Sequence, residues 1–363
     1  MYLFQRIQAG CFTLIFLFIF NPCIGQNNES FPVLISKVHK DSISLKAETE
    51  PEYRNNINDK DYQGNQISGV IRTVFQDSKG DFWFGTQNGL CRYDKNGLVY
   101  FELKDSQGKN VTVHVVIEND DGNIWIGYGG GIAKFDGTFF TIYHEKDILT
   151  VGGLWSMKID QNGLIWVGTT QGVYTFNGLK LTPFEIPEGK INPAVGVSTS
   201  KMIHSIIEDS KGRMWFATNG GVFIYNDTIL KNISENEGLS SNFVNDIIES
   251  ENGDFWISTS NGIFKYNEIS IKNITEKLIG KGDGIGCIFE DNDGQLWFSV
   301  NKREIYRFDG VAFTEIKSED NDFMPFPFSM FQDDQKRLWF VGLKGAFRYE
   351  NNNFVNVNRD GPW

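Results

Sequence analysis

Between Val70 and Val357 the chain reads as short apolar runs separated by polar turns, and the same order of runs keeps returning. Each unit begins with a run rich in β-branched residues, as in Val70 to Phe75 or Met202 to Ile207. A polar turn follows, with Asp six residues before a Trp in five of seven copies and Gly three before it in six of seven. The Trp run comes next (Phe82 to Thr86 in the first copy), then a second turn that usually closes on Gly. A third run alternates apolar with polar and ends in an aromatic followed by Asp or Asn, as in Tyr93-Asp94, Phe176-Asn177 and Phe308-Asp309. A looser fourth run closes the unit, as in Leu98 to Leu103 and Phe354 to Val357. Short runs of period two bounded by Gly and Asp predict β-strands joined as hairpins, with Gly supplying positive φ in the turns.

The Trp residues measure the repeat. Trp83, Trp125, Trp166, Trp215, Trp256, Trp297 and Trp339 are separated by 42, 41, 49, 41, 41 and 42 residues. Four strands per roughly 42 residues, seven times over, predict an all-β fold, a seven-bladed β-propeller of four-stranded antiparallel blades. One blade cannot bury both faces alone, so neighbours must bury each other's. The Trp column is therefore expected to be packing, each ring burying on the order of 200 Å² against the next blade. The Asp-Gly turns are expected to be Asx-bonded hairpin turns rather than calcium loops, which need more oxygens and flanking helices.

The whole phrase Glu208 to Asn226, EDSKGRMWFATNGGVFIYN, resembles the two-component regulator propeller repeat. That repeat sets an acidic residue before a turn, then Gly, an apolar residue, Trp, a small-Thr step, and Gly ahead of an aromatic-Asp strand. The resemblance runs through seven copies over about residues 69–358. It implies a periplasmic or extracellular ligand-sensing propeller, of a kind often fused to a membrane helix and a histidine kinase. The sequence stops at Trp363, directly after the seventh copy, without a kinase motif, a transmembrane helix or a DNA-binding module. Signalling by this chain alone is therefore not expected.

The ends add an expectation about location. Met1 to Gly25 carries a single charge, Arg6, and a ten-residue run from Cys11 to Phe20 that is apolar except for Thr13. With Cys23 and Gly25 as small residues before a cleavage point, residues 1–25 read as an export signal, too short to span a bilayer. Cys23 follows Pro22 where lipidation wants a small residue, so no stable membrane anchor is expected. The mature chain is then periplasmic or secreted, and loss of Arg6 takes the net charge from −12 to −13. Residues 26–66 read as a leader, with a candidate latch strand over Phe31 to Lys37 and Ile43 to Leu45 and a polar linker from Glu48 to Asp61; residues 67–363 are the propeller. The acidic balance argues against nucleic acid and against long anionic polymers. Cys91 and Cys287 remain after cleavage and are expected to be free and buried. No Cys or His pair has ligand spacing, so neither a metal nor a cofactor is expected.

Candidate chemistry appears when the copies are aligned on Trp. Twelve residues before it every copy is apolar or Pro: Ile71, Val113, Leu154, Ile203, Val244, Ile285 and Pro327. The next position reads Arg72, His114, Trp155, His204, Asn245, Gly286 and Phe328, and the one after is mostly small. If the first strand lines the channel, this middle column puts a cation, two imidazoles, an amide and two aromatics around one mouth. Aromatics with a few convergent polar groups describe a small-molecule or glycan site, so Arg72, His114, Trp155, His204, Asn245 and Phe328 are the expected ligand-binding residues. The second-turn tips, with Gln87, Asn88, Tyr128, Gln171, Asn219, Asn261, Lys302 and Arg303, are expected on the same face. The insertion behind the 49-residue step falls in Thr182 to Ser200, near that mouth. Gly280 to Gly284 precedes a strand rather than a helix, so it is a loop and not a phosphate cradle.

Two other readings stand beside ligand sensing. One is a lyase or hydrolase using His114 and His204, distantly resembling propeller lyases that open cyclic esters with a His and Mg²⁺. The other is an envelope scaffold that uses its rim. The partners expected are a small molecule or glycan and, beyond it, a separate sensor kinase or an envelope protein.

Overall fold

The structure, a computed structural model, describes residues 48–49, 65–144, 153–191, 196–280, 283–301, 303–318 and 324–363. The export signal, the candidate latch strand and Lys302 lie outside these residues. Seven antiparallel sheets follow one another along the chain, each ordered from its innermost to its outermost strand as the sequence runs. Blade 1 is Ile71–Gln76, Phe82–Thr86, Gly89–Asp94 and Gly97–Phe101; blade 7 is Phe326–Gln332, Leu338–Leu343, Gly345–Glu350 and Asn353–Val357. Blade 2 has a fifth strand: Glu48–Thr49 pairs antiparallel with its outer strand, Phe140–His144. Among the described residues no helix is long and apolar enough to cross a membrane.

The core lies between blades. Seven apolar clusters each draw on two neighbouring blades; one joins Trp83, Leu90 and Phe101 of blade 1 to Val113, Ile124 and Phe135 of blade 2. The Trp-bearing second strand is therefore buried at all five positions in blades 1 to 6. The repeat's Asp ties this packing to its turn. Asp77, Asp160, Asp209, Asp291 and Asp333 each accept the indole N–H of their own blade's Trp at 2.7–2.9 Å. The other carboxylate oxygen of each takes backbone N–H groups of the turn, as at Asp77 from Lys79 and Asp81. The turn is thus Asx-bonded as the spacing implied. Where blade 5 has Ser250 instead, the Trp256 indole turns to Glu290 of the next blade at 2.6 Å.

The last residue of most innermost strands reaches back to the preceding blade's turn. Glu118 takes Ser78, Glu208 takes Gln161, Glu249 takes Ser210, Glu290 takes Ser250, Gln332 takes Asn292, and Gln76 takes Asp334. The last of these crosses from blade 7 to blade 1, so the closing seam carries the same device as the others. Face packing closes the ring there: Trp339 meets Phe82 at 4.9 Å between ring centroids. The C-terminal segment then crosses the seam, where Trp363 stacks on Tyr93 at 3.8 Å and the Arg359 guanidinium donates to the Gln66 carbonyl.

Candidate functional site

The aligned column has a backbone cause. In blades 1 to 5 and 7 the ladder between the first and second strands skips one residue: Arg72, His114, Trp155, His204, Asn245 and Phe328. Each is the extra residue of a β-bulge, where two residues oppose one and the side chain is re-aimed. Opposite the bulges stand Gly85, Gly127, Gly168, Ala217, Ser258 and Val341. Small residues are needed at several of these because the next blade's first strand presses in. A Cβ on Gly85 would lie 2.9 Å from Val113 Cγ1, and one on Gly168 2.7 Å from Ile203 Cγ2. The Thr that follows locks the second turn: Thr86, Thr169, Thr218 and Thr259 each donate to the carbonyl of the Gly three residues on, at 2.8–3.0 Å.

Five of the six bulge residues meet. Phe328, Arg72, His114, Trp155 and His204, from blades 7, 1, 2, 3 and 4 in ring order, line one cavity of about 400 Å³. Thr73, Ser156, Ser205 and Ser329 from the next column form its floor with Val115, Met157 and Ile206. The Arg72 guanidinium lies 4.6 Å above the Phe328 ring. His114 and Trp155 meet at 4.7 Å between centroids, inclined by 45°. Trp155 is 38% exposed, whereas the seven repeat Trp residues are at most 7% exposed. The sixth bulge residue is turned elsewhere: Asn245 donates its amide to the Ile285 carbonyl of blade 6 at 2.6 Å and does not line the cavity. With Gly286 next in the column, the polar and aromatic lining forms an arc rather than a full ring.

The charge state of the arc follows from burial. Desolvation, then the neighbouring Arg72 charge, lowers His114 to about 4. Desolvation also lowers His204, opposed by its bond to Asn219. Asn219 gives its amide hydrogen to the Thr199 carbonyl at 2.8 Å, so its oxygen faces His204 Nε2 at 2.7 Å. His204 must therefore carry its proton on Nε2, which leaves Nδ1 as an acceptor. Both imidazoles are neutral at pH 7, and Arg72 is the cation of the cavity. Asp246, bonded by the cavity residue Ser205, is half-buried; desolvation raises its carboxyl to about 6, against hydrogen bonds from Ser205 and from the Ile247 and Ile288 backbone. Cys287 is half-buried rather than sealed, and desolvation pushes its thiol up to about 12.

The second-turn tips divide. Tyr128 is fully buried, so it is core and not a tip. Asn261 is engaged by the Ser240 carbonyl. Gln171 and Asn219 line a second hollow of about 730 Å³ with residues 196–199 and 201–202, beside the mouth. Arg303 lies over the Phe326 ring in a separate hollow of about 680 Å³ between blades 6 and 7. The insertion is shorter than its expected bounds, since Leu181–Phe184 is the outer strand of blade 3. Its described residues, 185–191 and 196–200, are tied down: Ser200 donates to Glu188 at 2.5 Å, Asn242 donates to the Lys190 carbonyl, and Thr199 holds Asn219. Sequence reasoning missed Ser156 and this Thr199–Asn219–His204 chain. Ser156 sat in the small column with no feature to single it out, and the chain depends on a loop contact no spacing encodes.

Four segments, residues 65–88, 198–220, 238–261 and 280–302, match the family model described as two component regulator propeller. No curated protein matches the chain. Among solved structures, it is similar to the extracellular domain of BT3049 from B. thetaiotaomicron, described as a hybrid two component system, with 23% identity and a TM-score of 0.62 over 82% of this chain and 40% of that one. The corresponding domain of BT4673 from the same organism gives 20% identity and a TM-score of 0.62 over 82% and 39%. The chain thus spans about two fifths of the length of those domains. Virginiamycin B lyase from Staphylococcus aureus, solved with quinupristin, gives 15% identity and a TM-score of 0.60 over 81% of this chain and 96% of that one. At these identities the likeness is one of fold.

Proposed function

We propose that this chain, which carries two component regulator propeller repeats, is an exported sensor-type propeller that binds a small molecule or glycan in the arc formed by Arg72, His114, Trp155, His204 and Phe328. One observation carries the reading. Five bulge residues of five consecutive blades, of four different kinds, meet in one cavity, while the strand-and-turn frame around them repeats. The cavity's 400 Å³ lies within the usual range for small ligands, about 300–1,000 Å³. An exposed Trp face beside neutral imidazoles suits a ring with C–H and hydroxyl groups. The extracellular location of the similar domains supports export. The message would pass to a sensor kinase, on the same polypeptide or a separate one, or to an envelope protein. The lyase alternative gains nothing from the geometry: His204's Nε2 proton is committed to Asn219, and a His lowered to about 4 is a weak general base at pH 7.

A thermal-shift screen of oligosaccharides and small polar metabolites tests this. A ligand that binds the folded state alone raises the melting temperature by mass action, about 2.7 kcal/mol at one hundred times its Kd. Binding that survives unchanged in both Trp155→Ala and His114→Ala would place the site elsewhere.

A further inference from the structure

Arg72 differs from most of the buried and half-buried arginines of this protein. Arg92 pairs with Asp94, Arg213 with Asp209 and Glu268, Arg337 with Asp333, and Arg348 with Glu350. The chain has 46 acidic side chains to offer against 34 basic ones. Yet among the described residues no carboxylate reaches Arg72, and its Nε is buried without a hydrogen-bond partner. A desolvated guanidinium without an anion is costly, and the Phe328 face at 4.6 Å offsets only part of that cost. A second orphan lies in the same cavity. The Ser156 hydroxyl is buried and also lacks a partner. His114 supplies no negative charge, and the neighbouring His204 is bonded to Asn219.

Two unpaired polar groups, one of them cationic, thus line a cavity beside the most exposed Trp of the chain. We propose that the ligand of the mouth is a short carboxylated carbohydrate, its carboxylate held by Arg72, a hydroxyl or ring oxygen taken by Ser156, and its C–H face laid on Trp155. The proposal rests on the mouth being the ligand site. Guanidinium matches carboxylate geometry through paired N–H donors, which a lysine cannot reproduce. The net charge of −12 favours short ligands, because an extended polyanion would be repelled by the chain as a whole.

The test compares oligoglucuronides and oligogalacturonides of two to four residues with their carboxyl-reduced neutral counterparts, by calorimetric titration. The acidic member of each pair that binds should do so at least about tenfold more tightly than its neutral partner. Arg72→Gln should abolish that preference without lowering the melting temperature of the free protein, Arg72→Lys should keep only part of it, and Ser156→Ala should weaken both members. Neutral sugars that bind as tightly as acidic ones, with affinity lost in Trp155→Ala but not in Arg72→Gln, would overturn this proposal and leave the mouth as a binding site. Tighter, Arg72-dependent binding of a sulfated oligosaccharide would overturn the carboxylate assignment. Failure of every sugar, acidic and neutral, to bind would overturn the glycan reading and this proposal together.

Discussion

Each Asp of the repeat does two things with two oxygens: one holds the turn and the other holds the indole N–H six residues on. Blade 2 breaks the pattern. Asn119 stands where Asp is expected, its oxygen goes to the Asn123 N–H, and the buried Trp125 Nε1 has no partner. Asn119→Asp should supply that partner. It should stabilise the protein by about 1 kcal/mol, read as a higher urea midpoint at unchanged slope. The reverse change at an intact copy, Asp209→Ala, should cost about 2–4 kcal/mol, since it strands both the Trp215 indole and the turn. Asp246 shows the opposite economy. Its carboxyl sits near 6 in the fold and near 3.8 when unfolded, so the folded state holds the proton more tightly between those values. Stability from this group is therefore present below about pH 3.8 and lost as pH rises through 6. Asp246→Asn should raise stability above pH 6, on the order of 1–3 kcal/mol, with the gain vanishing near pH 4 in thermal melts.

At the scale of the strand, the bulge is what turns a packing element into a site. A regular first strand would alternate its faces, and the channel-lining position would point into a neighbouring blade. The extra residue gives a burial period of three, one buried residue followed by two half-buried ones. The sequence carries this as a break in alternation, an apolar residue followed by a free choice and then a small one. The break marks where variation is tolerated but not which way each side chain turns. Asn245 fits the column as well as His204 does, and only the nearby Ile285 carbonyl takes it out of the cavity. In blades 1 to 3 the small residue across the ladder is as necessary as the bulge. Gly168→Val should force Ser156 and Ile203 apart and cost about 2–4 kcal/mol, measured by chemical denaturation. Ala217→Gly, at the equivalent position of blade 4, should cost about 1 kcal/mol or less.

At the scale of the molecule, seven copies of one phrase dictate seven sheets, and the order of strands within each sheet follows from hairpin connection alone. The phrase encodes the face packing and the Gln76–Asp334 bond of the closing seam, but not the further contacts made there by segments outside it. Trp363 on Tyr93, Arg359 on Gln66 and Tyr100 on the Ile67 carbonyl join segments that flank the repeats. Trp363→Ala should therefore lower stability by about 1–3 kcal/mol, whereas Ile269→Ala, at a residue 94% exposed, should change it by less than about 0.5 kcal/mol. The missing inter-blade bond between blades 2 and 3 has a plain cause, since Ile159 replaces the Glu or Gln found at that strand end in the other blades.

The account turns on whether the arc at the mouth is where a ligand sits. Thermal shifts of the wild-type protein and of Trp155→Ala, run in parallel over one panel of acidic and neutral oligosaccharides, test that most directly. The predicted result is a ligand-dependent rise in the melting temperature of the wild type that is lost in Trp155→Ala, while the two proteins melt alike without ligand. Equal rises in both proteins for every ligand that binds would contradict the account.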